Sequence, residues 1–522
     1  MRNLVGREIP DEVLKDGREV YQGKNAKDGT YYTKAGPRVR RYEKPVESKV
    51  VADLKTALLH CGAHDGMTVS FHHHLRDGDY VVNMVMRSIF EELNLKDITI
   101  AATSLGSAHD PVAEYIRQGR VVGIQTSGIR GKVGEAVSRG ELKTPAIIRS
   151  HGGRPRAIEN GEVHIDIAFV AAPTTDEMGN CRGVGGKSDC GSLGYAMTDS
   201  RFADHVVVVS DTLVPYPNYP ASVEAIDVDC VVMVESIGNP AKIASAAARM
   251  TENPRDLMMA ENAAKIIGAT PYFKDGFSFQ TGVGGPTLAV NRYLIPMMEE
   301  RGVKMGWAIG GICTSMVEML QKGLVEKVID VQDFDLGAVQ SIHRTPGHYE
   351  MSASQYANPA NKGAFVNKLD FVVLAALEID TQFNVNVLTG SDGVLRGAPG
   401  GHPDTAAGSK CCIIVTPLLR GRMATVCEKV VTVTTPGDCV DVLVTDYGVA
   451  VNPRRPDLIA CLDRAGIRHV TIESLQEKAY EIVGRPEELQ WEDKVVAIVE
   501  ARDGTVLDVV RQIKPYTFEE EE

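Results

Sequence analysis

No run of about 18 consecutive apolar residues occurs in the chain, so no membrane-spanning helix is expected. The opening, MRNLVGREIPDEVLKDGREV, is charged and lacks the apolar core of a signal peptide, which points to a cytoplasmic protein. Ten cysteines include no CxxC pair, and Cys411 and Cys412 stand together at the head of the apolar run CCIIV. Scattered, reduced, mostly buried thiols fit the same compartment. Two nucleotide signatures are incomplete. TGVGG, ending at Gly285, lacks the third glycine of a dinucleotide fingerprint, and GGKS at Gly185 to Ser188 has Cys181 where a P-loop needs glycine. Nucleotide hydrolysis is not expected. Excess positive charge is missing too: a net charge of −13 argues against a nucleic-acid binder and requires any anion site to be locally basic.

What is present is a duplication. IDIAFVAAPTTDEMGN (Ile165 to Asn180) aligns without gaps on LDFVVLAALEIDTQFN (Leu369 to Asn384), an offset of 369 − 165 = 204. EYIRQGRV (Glu114 to Val121) echoes EMLQKGLV (Glu318 to Val325) at the same offset, and VDCVVMV (Val228 to Val234) echoes VDVLVTD (Val440 to Asp446) at 440 − 228 = 212. Length alone suggests about three domains. The repeat argues instead for two α/β units, with strands alternating with helices in parallel or mixed sheets. Residues 1–48, polar and broken by Pro10, Pro37 and Pro45, read as an arm. Residues 49–254 form the first unit and 255–522 the second. Val82, Val85, Met86, Ile89, Phe90 and Leu93 fall at helical spacing. Pro286 marks a helix start, and Pro296 is expected to kink or end that helix.

Candidate chemistry gathers at strand ends. Thr174 in the first copy faces Glu378 in the second, so one copy carries an ionisable group where the other has a hydroxyl. Gly282, Gly284 and Gly285 lie between a strand and a helix start, where backbone N–H groups favour anions. A second glycine loop, LRGAPGGHPD (Leu395 to Asp404), offers Gly397, Gly400 and Gly401 as oxyanion donors. The triplet His72 to His74 does not suit one metal ion, because three consecutive residues cannot converge on it. His72 and His73 with Arg76 read instead as an anion-pocket loop, and no metal is expected. Between Arg117 and Arg156 nine basic residues meet two acids, Glu135 and Glu141, a stretch suited to anionic partners. It contains Arg130 and the glycine-rich RSHGGR, with His151 and Arg154. Glu159–Gly161 (ENG) reads as a turn.

FQTGVGGPTLAVNRYL, QTSGIRGKVGEAVSRGEL, CGSLGYAMTD and ALEIDTQFNVNVLTGSDGVLRGAPGGHPDTA closely resemble the alpha subunits of bacterial citrate lyase, within the CoA-transferase superfamily. The resemblance runs from about Leu54 onward and implies tandem CoA-transferase-like domains of the sugar-phosphate-isomerase type. It also implies a citrate CoA-transferase that replaces acetyl by citryl on a carrier thioester and releases acetate. No cofactor bound by the chain is implied; the substrate thioester belongs to CoA or to the CoA-like group of an acyl carrier protein. The implied partners are citrate, acetate, acetyl-CoA or acetyl-acyl-carrier protein, and the beta (lyase) and gamma (carrier) subunits in a hetero-oligomer. Glu378 falls at the nucleophilic glutamate of acetate-type transferases, with Asn386 and the glycines Gly282, Gly284, Gly285, Gly397, Gly400 and Gly401 around the thioester. His72, His73, Arg76, Arg130, His151 and Arg154 would meet citrate. Citrate lyase itself implies direct attack by citrate, without an enzyme thioester. Other readings on the same fold are transfer to or hydrolysis with a related acid such as citramalate, and a non-catalytic effector-binding protein.

Overall fold

The structure is a computed structural model that describes residues 1–24, 48–244 and 251–514. Its two large sheets show why the sequence repeats. In the first unit the chain lays down β1 (Thr68–Phe71), β2 (Ile98–Ala102), β3 (Val121–Thr126) and β4 (Ala146–Ile148) outward in one direction. It then returns to place β5 (Ile167–Ala172), β6 (His205–Ser210) and β7 (Cys230–Met233) on the other side of β1. The second unit repeats this path with β8 (Phe277–Thr281), β9 (Met305–Ile312), β10 (Val328–Asp333) and β11 (His348–Glu350), then β12 (Phe371–Leu374), β13 (Cys411–Val415) and β14 (Val442–Val444). The spatial orders β7-β6-β5-β1-β2-β3-β4 and β14-β13-β12-β8-β9-β10-β11 are the same path drawn twice. All these neighbours pair in parallel.

Parallel strands covered by helices on both faces must be apolar throughout. IAFVAA of β5 and CCIIV of β13 are buried at every position. The main core cluster of each unit is separate, although the first unit's also takes in Leu388, Leu395, Val430 and Val433 from the second. Strand-end turns repeat as well. Asp176 accepts from the N–H groups of Met178 and Asn180, and Asp380 accepts from those of Gln382 and Asn384.

Four segments differ from the sequence expectation. The last strands, β16 (Trp491–Glu500) and β17 (Val506–Ile513), follow β15 (Val449–Val451) in the chain but join the first sheet, with β16 parallel to β4. The C-terminal segment thus crosses back to the first unit instead of closing the second. Residues 1–24 are no free arm: Ile9, Val13 and Val20 are buried with Val495, Ile498 and Val506. Arg7 pairs with Asp508 at 3.1 Å. The rest of the expected arm and the acidic tail lie outside the described residues. The helix beginning at Pro286 runs Gly285–Arg301 straight through Pro296, so the missing N–H costs it one bond without ending it. The helix after β1 spans Val81–Arg87 and continues as a wider turn over Ser88–Glu92. Glu159 ends the helix Gly153–Glu159, and Gly161 takes φ +75° in the turn that follows, so ENG is a helix C-terminus and no hairpin.

Candidate active site

In an open parallel sheet ligands bind beyond the carboxyl ends of the strands, where the chain path reverses. Here both units present those ends to one another. The cleft between them, of about 430 Å³, takes His73 and Arg76 from beyond β1, Thr103 from beyond β2, Ser127 and Arg130 from beyond β3, and His151 from beyond β4. The second unit adds Gln280 and Gly282 from β8, Gly311 from β9, Gln332 from β10, Ala375 from beyond β12, and Gly400, Gly401 and His402.

The two units are stitched together at this wall by backbone. Ile129 N–H donates to Gly397 O at 3.0 Å, and Gly400 N–H donates to Ser127 O at 3.3 Å. Gly128 is obligatory at this contact, since a Cβ there would stand 2.4 Å from the Ala398 side chain. Asp404 completes the seam: it accepts from Ser150 Oγ at 2.8 Å and from Gly152 N–H at 2.9 Å, fixing the loop that carries His151. Burial raises its carboxyl to about 6.

Two guanidiniums set the electrostatics. Arg76 sits at φ +52°, a left-handed conformation unusual for a side-chain-bearing residue and a form of strain that concentrates at functional sites. Its guanidinium lies 5.0 Å over the Phe334 ring, and its Nη1 is buried without a partner. Burial, with Arg130 nearby, holds Arg76 below the ordinary value, and burial does the same to Arg130. Neither arginine is in an ion pair among the described residues. The one carboxylate on the lining is Asp77, exposed and bonded by Ser107 Oγ at 3.3 Å.

The imidazoles are neutral neighbours. His73 stacks on Tyr195 at 5.2 Å and on His151 at 5.7 Å, and its Nδ1 lies 2.6 Å from Thr103 Oγ1. Burial, with Arg154 close by, pushes His151 down to about 3, and burial pushes His402 down to about 4. The cleft therefore presents fixed arginine charge beside neutral hydrogen-bonding rings, an arrangement suited to anions.

Of the residues singled out from sequence, His73, Arg76, Arg130, His151, Gly282, Gly400 and Gly401 line this cleft. The others do not. His72 is buried beneath it, both ring nitrogens without a partner. Arg154 is consumed by a bidentate pair with Asp199, both contacts at 2.5 Å. Gly284 N–H is taken by Thr287 Oγ1 at 3.0 Å, Gly285 lies inside the helix, and Gly397 packs on Val387 O. Glu378 stands on a small three-stranded sheet, where its carboxylate accepts from Asn386 Nδ2 at 2.9 Å and Val431 N–H at 3.0 Å. Burial raises its carboxyl against those two bonds. Asn386 is fully buried and spends its other contacts on Leu388 and Thr389. Most of the basic stretch is paired with acids. Arg149 meets Glu500 at 2.7 Å, Arg156 meets Glu162 at 2.5 Å, and Arg117, Arg139 and Lys143 also have acidic partners; of its nine Lys and Arg residues Arg130 alone lines the cleft among the described residues.

Sequence reasoning missed Ser127, Tyr195, Gln280, Gln332 and Tyr356. Gln280 directly precedes TGVGG and Ser127 lies within QTSGIRG, so position beside a glycine turn at a strand end was the available signal. Tyr195 and Tyr356 had none.

A family profile described as citrate lyase, alpha subunit, matches residues 47–513. The chain is 52% identical over 472 residues to a citrate lyase alpha chain of Escherichia coli (strain K12), covering 90% of this chain and 92% of that one. It is 48% identical over 514 residues to the one of Klebsiella pneumoniae, covering 98% and 99%. The crystal structure of an alpha subunit of citrate lyase in complex with citrate, from Streptococcus mutans, superposes with a TM-score of 0.95 at 49% identity, covering 98% of this chain and 100% of that chain. A Pseudomonas malonate decarboxylase hetero-tetramer contains a chain with a TM-score of 0.62 at 18% identity, covering 84% of this chain and 89% of that chain, a likeness of fold.

Proposed function

The chain belongs to the citrate lyase alpha subunit family, and from that premise we propose that the cleft between the two sheets is where citrate replaces acetate on a thioester. It is a CoA-transferase. Citrate enters as a tricarboxylate, and Arg76 with Arg130 hold two of its carboxylates. The remaining carboxylate attacks the acetyl carbonyl of the thioester, giving a tetrahedral oxyanion that collapses with loss of thiolate. The products of that step are a citryl–acetyl anhydride and the free thiolate. The thiolate then attacks the citryl carbonyl, forming citryl thioester and releasing acetate. Neutral His73 and His151 donate or accept hydrogen bonds without competing for the proton-free carboxylate. The Gly401 N–H, beside the seam, is the backbone donor best placed for the oxyanion, a role worth roughly 3 kcal/mol per donor.

The observation that carries this reading is a pair of guanidiniums without ion-pair partners, Arg76 half-buried and Arg130 at the open rim, on a cleft whose one carboxylate among the described residues is the exposed Asp77. Among the described residues the lining carries no buried carboxylate, which supports attack by the substrate's own carboxylate. The thioester is that of CoA or of the CoA-like arm of an acyl carrier protein, and the chain works beside lyase and carrier subunits. Titration calorimetry with citrate tests the binding half. A hydrogen bond to a charged group is worth about 1.5–3 kcal/mol, so Arg76→Ala and Arg130→Ala each weaken citrate about tenfold or more. Unchanged affinity in both would remove the arginines from the site.

A further inference from the structure

Behind the cleft wall lies a constellation that acyl transfer does not use. On β10 the cleft-lining Gln332 is flanked by Asp330 and Asp333, both 0% exposed. With His348 of β11 they bring one ligand atom each within 4.8 Å of one another. His348 Nδ1 lies 2.9 Å from Ser341 Oγ, itself 2.9 Å from Thr345 Oγ1, and Nε2 lies 3.2 Å from Asp330 Oδ2. Asp333 Oδ2 accepts from Ser192 N–H at 2.8 Å, while Asp330 Oδ1 and Asp333 Oδ1 are buried with no N–H or hydroxyl donor and the two carboxyls contact each other. The carboxylates acting on the pair from neighbouring elements, Glu350 and Asp335, add charge of the same sign. Two buried carboxyls in contact need either a shared proton or a cation between them.

We propose that Asp330, Asp333 and His348 hold one divalent cation, with Zn²⁺ the best match. One imidazole nitrogen plus carboxylate oxygens is a zinc donor set, whereas Mg²⁺ and Ca²⁺ favour oxygen alone. The ion takes the place of the shared proton, binding Nε2 and one oxygen from each carboxylate. Its place is structural. It ties β10 to β11 where Ser192 of the first unit donates to both Asp333 and the Asp330 carbonyl, the latter at 3.2 Å. Gln332, held between the two ligands, donates to His73 O at 2.9 Å, so the ion stiffens the wall that positions a cleft histidine.

Metal analysis of the full chain tests this directly. After expression with zinc and exchange into chelator-free buffer, mass spectrometry should find about one Zn²⁺ per chain, as expected for a preformed closed site. His348→Gln and Asp333→Asn should lose it. His164→Gln should keep it, although the exposed His164 and the half-buried Asp166 and Asp204 form a second trio of ligand atoms. The zinc-edge absorption spectrum should show nitrogen and oxygen donors with imidazole scattering and no sulfur. A folded, zinc-free wild type after zinc loading would overturn the proposal, and so would zinc lost only in His164→Gln. If the variants fail to fold, the wild-type stoichiometry and spectrum decide alone: absent zinc, or thiolate in its shell, refutes the site.

Discussion

The N–H of His151 donates to the carbonyl of Gly400 at 2.8 Å, joining the first unit's last cleft loop to the second unit's glycine loop. Gly400 sits at φ +53°, and a Cβ there would meet His151 Nε2 at 3.3 Å. Gly400→Ala therefore combines left-handed strain of roughly 1–2 kcal/mol with pressure on the imidazole. The expected outcome is a small drop in thermal midpoint and a larger fall in kcat/KM for citrate. Parallel losses in both would mean that the seam holds only the fold.

Glu378 separates what the sequence shows from what the fold does with it. Its carboxylate uses one oxygen for both Asn386 and Val431, a role that an amide oxygen can fill. Glu378→Gln should retain well over a tenth of wild-type transfer, a barrier change below about 1.4 kcal/mol. Glu378→Ala leaves the Asn386 and Val431 donors unmet, at about 1–3 kcal/mol each, and should lower stability. Borohydride treatment in the presence of acetyl-CoA should leave the Glu378 peptide at its ordinary mass. A stoichiometric reduced adduct there, or collapse of activity in Glu378→Gln with stability kept, would restore it as the nucleophile.

Acid should destabilise the protein through His72. Burial, against Asp199 and Asp79 and together with Arg154, depresses this imidazole to about 4 from its ordinary value of 6.5. The sign is that of a depressed base: the unfolded chain takes up the proton first, so stability is lost as pH falls from about 6.5 toward 4. His72→Phe keeps a ring of similar size without the proton site. Its thermal midpoint should match wild type near pH 8 and exceed it near pH 5. Equal acid sensitivity in both proteins would place the proton uptake elsewhere.

Much of the architecture was legible because duplication writes the same burial pattern twice. Segments 204 residues apart occupy β5 and β12, at equivalent places in two sheets of identical strand order. The cleft was half legible. Residues beside glycine turns, such as Arg76, Arg130 and Gly400, carry their strand-end position in the local sequence. The illegible part depended on long-range partners. Nothing near Arg154 announces Asp199 as the acid that neutralises it, and nothing near Arg149 announces Glu500. Strand β16 has the alternation of any strand, and its pairing with β4 joins Ala497 to Ala146, far apart in sequence. Glu378 looked reactive because it is an acid in a polar-poor strand end, while the donors that occupy it, Asn386 and Val431, are visible only in three dimensions.

The central claim is that citrate's own carboxylate attacks the thioester in this cleft. Citrate labelled with ¹⁸O in its carboxylates, mixed with limiting acetyl-CoA and excess enzyme, isolates a single turnover. Direct attack makes a citrate oxygen the bridge of the anhydride, and thiolate attack on the citryl carbonyl expels that oxygen with acetate. The account predicts one ¹⁸O in each acetate released in that first turnover. Unlabelled acetate, with ¹⁸O left in an enzyme carboxylate, would contradict it.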